Sequence, residues 1–151
     1  MVATYLSYFG IRVTDLERSI AFYTRYFGLE EVARGGLEVA VPADNPERIT
    51  GRAVLLRDPV SGCKLELNYY PDGSQFAPAY EVGEGLDHLC FRVDDLGGIL
   101  KVLEAEGVRP IALPSEVADG VSIAYVRDPD GIWIELWKDH RIGKDALPRG
   151  Y

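Results

Sequence analysis

Residues 127–136 read RDPDGIWIEL, and residues 57–67 read RDPVSGCKLEL, which is one residue longer. Both stretches open on the letters RDP, pass through a glycine and end in an apolar segment that carries one glutamate, Glu135 or Glu66. A strand-borne glutamate repeated after the same kind of turn predicts that the chain contains two copies of one structural unit.

The stretches upstream of these segments repeat as well. Residues 10–16 (GIRVTDL) align with residues 90–96 (CFRVDDL), and the same alignment pairs Tyr8 with His88. The repeated unit thus carries a glutamate in both copies and a histidine in one of them. Such a duplicated arrangement favours a site built across a pseudo-twofold axis.

Composition sets the class of protein. A chain of 151 residues that is 47% hydrophobic and 26% charged fits a globular protein of one compact domain with a good-sized core, or of two small halves that share one core. The net charge of −8 argues against nucleic acid or an anionic membrane surface as a partner. There is no apolar run of spanning length and no signal pattern, so we expect a cytoplasmic protein. Cys63 and Cys90 are expected to be buried free thiols.

Each copy is predicted to run strand, helix and three strands. Strands are expected at 5–13, 30–41, 52–57 and 63–69, and again at 86–93, 109–113, 122–127 and 132–138. The first helix would begin at Thr14 or Asp15 and end at Gly28, and the second would span about 95–106 and end at Gly107. The predicted organisation of the single domain is a first module at 5–70, a connector at 71–85, a second module at 86–138 and a polar tail at 139–151. Loops at 42–51 and 114–120 are expected to rim a cavity.

Strand periodicity predicts which side chains share a face of the sheet. The residues expected to face the helices are apolar: Phe9, Ile11, Val13, Cys63, Leu65, Leu67, Leu89, Phe91, Val93, Ile132, Ile134 and Leu136. The opposite face would combine polar, aromatic and charged groups: Tyr8, Arg12, Lys64, Glu66, Asn68, Tyr70, His88, Cys90, Arg92, Trp133, Glu135 and Trp137. Two tryptophans on a polar face favour a curled sheet that holds a small-molecule ligand.

The imidazole of His88 and the carboxylates of Glu66 and Glu135 suit a divalent Ni, Zn, Co, Mn or Fe ion with positions left open for substrate. The alternative is a buried hydrogen bond between histidine and glutamate, with the other glutamate paired to a basic residue: Arg12, Lys64 or Arg92. The duplication favours the metal.

These residues resemble the vicinal oxygen chelate superfamily, which includes glyoxalase I, methylmalonyl-CoA epimerase, fosfomycin-resistance transferases, extradiol dioxygenases and bleomycin-binding proteins. The helix sequence DLERSIAFY at 15–23 and the DPDG turn at 128–131 before IEL at 134–136 carry the resemblance. It covers about residues 5–138. It implies an α+β fold of two βαβββ modules that form a curled mixed sheet around a cavity.

By this resemblance, the four ligand positions of the superfamily fall on Tyr8, Glu66, His88 and Glu135. Glyoxalase I (lactoylglutathione lyase) enzymes have His or Gln at the first position, then Glu, His and Glu, so the last three match. Dioxygenases and fosfomycin transferases need His at the first position, and epimerases carry Gln at the second. The resemblance therefore implies a metal-dependent lyase or isomerase in which Glu135 moves a proton through a metal-stabilised enediolate. Glu66 would be its pseudo-symmetric counterpart.

Two departures from the glyoxalase I pattern affect the substrate. Tyr8 could ligate as phenolate, donate its hydroxyl to a bound oxyanion beside a three-ligand site, or fill a degenerate site, and we favour the second reading. Arg12 matches the basic residue that holds the peptide carboxylate, but Tyr70 replaces an asparagine and Glu84 replaces an arginine. We therefore expect a substrate other than the glutathione hemithioacetal.

A non-enzymatic binding protein of the bleomycin-resistance type is the alternative function. Its stacking walls would be aromatic: Tyr8, Tyr70, Trp133 and Trp137. Retention of three ligand positions favours the enzyme. Exposed apolar strand edges predict a homodimer.

Overall fold

The computed structural model describes residues 6–39, 49–71 and 86–141. The chain divides into two compact units, residues 1–80 and 81–151, and each has its own sheet and helix. The predicted α+β fold of two βαβββ modules is confirmed. Among the described residues, no helix has the length and apolar character needed to cross a membrane.

Unit 1 forms a four-stranded mixed sheet. Its elements are β1 (Phe9–Val13), α1 (Leu16–Phe27), β2 (Glu30–Val39), β3 (Ile49–Arg57) and β4 (Lys64–Tyr69). The strand order is β1-β4-β3-β2, with β1 parallel to β4 and the other neighbours antiparallel. Helix α1 connects β1 to the strands that follow, and it packs against β4 and β2.

Helix α1 is set by its ends and its apolar stripe. The Asp15 side chain accepts a hydrogen bond from the Arg18 amide at 3.1 Å, which caps the amino end. Gly28 ends the helix in the left-handed conformation with φ of 67°. Between them Ile20 and Tyr23 are buried, and the predicted helix is confirmed.

Unit 2 repeats this arrangement. Its elements are β5 (Leu89–Arg92), α2 (Leu96–Ala105), β6 (Ala112–Ala118), β7 (Val121–Arg127) and β8 (Trp133–Asp139), and the strand order is β5-β8-β7-β6. Strand β5 lies parallel to β8, as β1 lies parallel to β4. Gly10 lies opposite Glu66, and Cys90 lies opposite Glu135. The strand registers therefore agree with the sequence alignment of the two copies.

A turn built on Asp128 fixes the register of β7 and β8. Its Oδ1 accepts hydrogen bonds from the Asp130 amide at 2.9 Å and the Ile132 amide at 2.8 Å. Gly131 supplies the positive φ, 91°, that the turn requires. The hairpin that follows places Tyr125 opposite Glu135. In this way the RDP segment that revealed the repeat also positions the glutamate of its strand.

Two predictions about the strands and loops of unit 2 are wrong. Strand β6 begins at Ala112 rather than 109 and continues to Ala118, so most of the loop expected at 114–120 is strand. Pro114 had suggested a loop, but β6 is an edge strand whose register shifts between Ala112 and Ser115, where a missing amide donor is tolerated. Strand β5 agrees with the predicted face, because Leu89 and Phe91 pair with the buried Ile134 and Leu136. These two residues, and Val93 after the strand, are half-buried.

The predicted burial is also wrong at both cysteines and at Phe9. Cys63 lies in the turn before β4, and Cys90 lies on the polar face of β5, so both are exposed. Phe9 is 53% exposed because it is the first residue of β1, which is an edge strand of its sheet. The connector, the tail and the loop predicted at 42–51 lie mostly outside the described residues.

Candidate functional site

In unit 2, a histidine and a glutamate meet on the polar face of the sheet. His88 immediately precedes β5, and Glu135 lies in β8, the strand paired with β5. The His88 Nε2 atom lies 3.1 Å from Glu135 Oε2, and the two side chains are 31% and 15% exposed. Burial of Ile134 and Leu136 on either side of Glu135 directs its carboxylate to the opposite face.

Asp87 and Tyr125 contact the atoms of this pair that face away from each other. The His88 Nδ1 atom lies 2.7 Å from Asp87 Oδ1, so Asp87 accepts a hydrogen bond when Nδ1 carries a proton. The Tyr125 hydroxyl donates to Glu135 Oε1 at 3.1 Å. The Tyr125 ring also meets the His88 ring edge to face, with centroids 5.8 Å apart. Each member of the pair is thus oriented through its outer atom.

Burial and the Glu135 carboxylate keep the neighbouring acids protonated. Desolvation first, and then the hydrogen bond to Glu135, raise the pKa of Tyr125, so this phenol remains a donor at neutral pH. The same two causes raise the pKa of the Cys90 thiol to about 12, although the residue as a whole is exposed. Cys90 therefore contributes a neutral thiol to this surface.

The remaining residues predicted for this face surround the pair. Trp133 lies against Tyr125, with ring centroids 5.7 Å apart, and its buried Nε1 has no hydrogen-bond partner among the described residues. The Arg92 guanidinium lies over the Trp137 ring, 6.0 Å from its centroid. All of these side chains belong to the face predicted from strand periodicity.

In unit 1, the equivalent glutamate has a different environment. Glu66 Oε2 accepts a hydrogen bond from Asn68 Nδ2 at 3.1 Å. Asn68 is only 9% exposed, and its buried Oδ1 has no partner among the described residues. Gly10 leaves room for this pair, because a Cβ added there would lie 3.1 Å from Asn68 Nδ2 and 3.6 Å from Glu66 Oε2.

The other predicted residues of unit 1 lie around this carboxylate or near the start of β1. Burial first, then the negative charge of Glu66, raise the pKa of Tyr70, and the positive charge of Arg12 opposes this rise. Arg12 is half-buried and lies opposite Asn68 in the strand register. Tyr8 precedes β1 and is 45% exposed.

The donor set of unit 2 fits a metal ion in part. Two ligand atoms each about 2.1 Å from one metal at right angles lie about 3 Å apart, which matches the separation of His88 Nε2 and Glu135 Oε2. Asp87 and Tyr125 supply the outer hydrogen bonds that metal-binding imidazoles and carboxylates usually have. Within the described residues, no cluster of three or more His, Cys, Asp or Glu side chains is arranged to hold a metal.

Sequence reasoning missed Tyr125 and Asp87 as functional residues. The signal for Tyr125 was present, because the RDP turn and the predicted strands at 122–127 and 132–138 form a hairpin that pairs Tyr125 with Glu135. Strand alternation then places both on one face. Asp87 gave no comparable signal, since the aligned position of the first copy holds Ser7 and the Asp87 side chain is 91% exposed.

Comparison with known proteins identifies the family. The model of the Glyoxalase/Bleomycin resistance protein/Dioxygenase superfamily matches residues 5–136. The chain belongs to this superfamily. The order of elements and the duplicated sheet described above are those of this family's fold.

The relatives include lactoylglutathione lyases. The chain is 32% identical to one from Arabidopsis thaliana over 127 residues, which cover 83% of this chain and 41% of that protein. It is 32% identical to a probable lactoylglutathione lyase of Vibrio cholerae over 128 residues, which cover 83% of this chain and 84% of that protein. The chain thus spans less than half of the plant relative and most of the bacterial one.

A solved structure of a glyoxalase I also superposes on this chain. The trypanothione-dependent glyoxalase I of Leishmania major superposes with a TM-score of 0.64 at 28% identity, covering 92% of this chain and 89% of that one.

Proposed function

We propose that this protein is a metal-dependent lyase or isomerase of the glyoxalase I type. The observation that carries the proposal is the His88–Glu135 pair, in which the Nε2 and Oε2 atoms face each other at 3.1 Å while the outer atoms are held by Asp87 and Tyr125. Proteins that only bind a ligand have no need for two metal-type ligands oriented in this way. Retention of the pair favours an enzyme over a binder of the bleomycin-resistance type.

His88 and Glu135 would hold the metal, and Glu66 is the further ligand that the repeat and the family pattern propose. When bound, a divalent ion supplies Lewis-acid stabilisation of the negative charge that develops on vicinal oxygens. Its identity among Ni, Zn, Co, Mn and Fe is left to the experiment, because nitrogen and oxygen ligands suit them all.

The protein's own groups supply the proton transfer. Glu135 would take a proton from the substrate carbon and return it to the adjacent carbon, since it is the carboxylate beside the imidazole and is 15% exposed. Tyr125 would hold one oxygen of this carboxylate in place throughout. Glu66, held by Asn68, would be its counterpart, and the half-buried Arg12 and Tyr70 would contact the substrate.

The thiol part of the substrate remains to be identified. Among the relatives, the names lactoylglutathione lyase and trypanothione-dependent glyoxalase I indicate two different thiols. Tyr70 stands where the glutathione-dependent pattern has asparagine. We therefore propose a hemithioacetal of a 2-oxoaldehyde as the substrate class and a thiol other than glutathione as its carrier.

The experiment measures metal content and turnover together. Protein purified without chelators is analysed for first-row metals and assayed with methylglyoxal and a set of thiols by thioester formation. We expect close to one metal per chain and turnover with at least one thiol. His88→Gln and Glu135→Gln should lose both, whereas the control His140→Gln should lose neither, because the His140 ring bonds Ser122 and its amide bonds Gly120, and neither partner belongs to the candidate site.

Two outcomes would contradict the proposal. Wild-type protein that neither contains nor takes up Ni, Co, Zn, Mn or Fe would exclude the metal-dependent reaction. Metal content that is equal in wild type, His88→Gln and Glu135→Gln would place the metal elsewhere.

We also propose a homodimer. Strand β1 is an edge strand in the sheet of unit 1, and β6 is an edge strand in the sheet of unit 2. Exposed apolar side chains lie on both: Phe9 and Val117 are 53% and 55% exposed. Pairing with a second chain would cover such edges. Light scattering at micromolar concentration should give the mass of two chains, and a mass of one chain would contradict this.

A further inference from the structure

One nitrogen of the Arg92 guanidinium lacks a hydrogen-bond partner among the described residues. Arg92 is the last residue of β5 and is half-buried, and its Nη1 atom is fully buried without a hydrogen-bond partner among the described residues. The guanidinium lies over the Trp137 ring, with its carbon 6.0 Å from the ring centroid. A ring face attracts a cation, but it accepts none of the hydrogen bonds that a guanidinium offers in its own plane.

An acid that could neutralise Arg92 is already engaged. Arg92 contributes to lowering the pKa of Asp139, so the two charges interact at a distance. Both oxygens of Asp139 are bound by Arg141, Oδ1 by its Nε at 2.9 Å and Oδ2 by its Nη2 at 2.8 Å. A buried charged donor that is left without an acceptor is costly, so such groups are normally paired. An acceptor from outside the described residues is therefore expected at Arg92.

The position of Arg92 places that acceptor beside the candidate site. Arg92 pairs with Trp137, and two residues earlier Cys90 pairs with Glu135. Residues two apart on a strand point to the same face and lie about 7 Å apart. An acceptor bound by Arg92 would thus lie about 7 Å from the His88–Glu135 pair, a distance that one small molecule can span.

A second observation indicates that a ligand covers this face. Trp133 lies two residues on the other side of Glu135 in β8, and its buried Nε1 also lacks a partner among the described residues. The face therefore offers two unpaired donors, one on each side of the Glu135 carboxylate. Buried donors nearly always have an acceptor, and on a face that opens towards the candidate site a bound molecule can supply it.

We propose that Arg92 binds an anionic group of the substrate, a carboxylate, and so determines substrate specificity. A guanidinium is a planar fork that matches the two oxygens of a carboxylate, and the Trp137 ring lies beside it without occupying its in-plane donors. The inference rests on the proposed function, and it assigns the substrate class as hemithioacetals whose thiol part carries a carboxylate close to the sulfur. Such a group also explains how a protein of net charge −8 attracts an anion.

The test compares two hemithioacetals of methylglyoxal that differ in one group. 3-Mercaptopropionate supplies an anionic thiol and 2-mercaptoethanol supplies a neutral one. We expect wild-type protein to use the anionic hemithioacetal at least tenfold more efficiently by kcat/KM. Arg92→Gln should raise KM for the anionic substrate at least tenfold and leave the neutral one unchanged, and Arg92→Lys should restore part of the preference. Arg109→Gln, at an exposed arginine of the same unit, is the matched control.

A binding measurement separates failure of this inference from failure of the proposed reaction. Tryptophan fluorescence is titrated with 3-(methylthio)propionate and with its neutral amide, which carry no thiol to bind a metal. Saturable binding of the acid alone, lost in Arg92→Gln, supports the anion site even if neither hemithioacetal is converted, which would refute the lyase. Turnover of both hemithioacetals with equal efficiency in wild type and Arg92→Gln would overturn the inference and leave the lyase standing. A lower melting temperature in Arg92→Gln with unchanged anion binding would also overturn it, because Arg92 would then serve only an internal contact.

Discussion

The Tyr125 hydroxyl donates a hydrogen bond to Glu135 Oε1 at 3.1 Å from the position directly opposite in the β7–β8 pairing. In unit 1 the residue opposite Glu66 is Leu55, which has no such donor. Glu66 is instead held by Asn68, from its own strand. Two glutamates that the repeat makes equivalent are therefore held from different sides, and only Glu135 has one oxygen secured by a phenol from a neighbouring strand.

Tyr125→Phe should weaken metal binding while leaving the fold intact. The substitution removes only the hydroxyl, so the ring contacts to His88 and Trp133 remain. Without the hydrogen bond to Oε1, the Glu135 carboxylate can rotate away from His88. Loss of such an outer hydrogen bond typically lowers metal affinity about 10- to 100-fold. Isothermal titration with Ni²⁺ or Zn²⁺ measures the change directly.

Tyr26→Phe is the matched control for this prediction. Tyr26 lies on α1 and contacts the Phe22 ring, far in sequence from the candidate ligands. It should bind metal as the wild type does. Equal metal affinity in Tyr125→Phe and Tyr26→Phe would show that Tyr125 does not orient Glu135.

Gly10→Ala should destabilise unit 1. A Cβ at this position would lie 3.1 Å from Asn68 Nδ2, and Asn68 is buried and bound to Glu66, so it has little room to move. We expect a loss of about 1 kcal/mol in the free energy of unfolding. Gly35→Ala is the control, because a Cβ there meets nothing within 4 Å. Urea unfolding should give a lower free energy of unfolding for Gly10→Ala than for Gly35→Ala. Equal or reversed values would contradict the prediction.

Asp128→Ala should lower the free energy of unfolding more than Asp58→Ala, although the two residues occupy the same position in the two RDP turns. Asp128 is 5% exposed and accepts hydrogen bonds from two backbone amides, which would be left buried without an acceptor. Asp58 is half-buried, and the amide it holds, that of Val60, can be reached by water. We expect about 1–3 kcal/mol of lost stability for Asp128→Ala and less for Asp58→Ala. Urea unfolding would contradict this if Asp58→Ala proved the more damaging change.

The sequence predicted those parts of the fold in which local pattern and burial agree. Strand β8 alternates apolar and polar residues, and Ile134 and Leu136 are fully buried as expected. The predicted bounds of β6 were wrong because proline normally breaks a strand, and the sequence around Pro114 does not show that this strand lies at a sheet edge with an irregular register. The exposure of Cys90 and Phe9 was likewise missed, because burial at the margin of a sheet depends on neighbours that are distant in sequence.

The sequence predicted those residues of the candidate site that occupy aligned positions in the two copies. Alignment of the two copies identified Glu135 and His88, and the structure of unit 2 brings these two side chains to hydrogen-bonding distance. The sequence did not reveal the partners that orient them, Tyr125 and Asp87, because the repeat does not duplicate them: Leu55 takes the place of Tyr125 in the first copy. Residues that make the two copies differ cannot be found by looking for what they share.

Asp139 should make the stability of the protein sensitive to acid. Its side chain is 4% exposed, and the bidentate Arg141 guanidinium lowers the pKa of Asp139 from 3.8 to about 2. A carboxyl group whose pKa is lowered by folding stabilises the folded state above its unfolded pKa, and this contribution is lost as the pH falls from about 3.8 towards 2. Wild-type protein should therefore exceed Asp139→Asn in stability at pH 6, and the difference should shrink steadily between pH 4 and pH 2. Urea unfolding at several pH values measures it. A difference that stays constant over this range would show that the Asp139–Arg141 pair does not hold the carboxylate in its charged form.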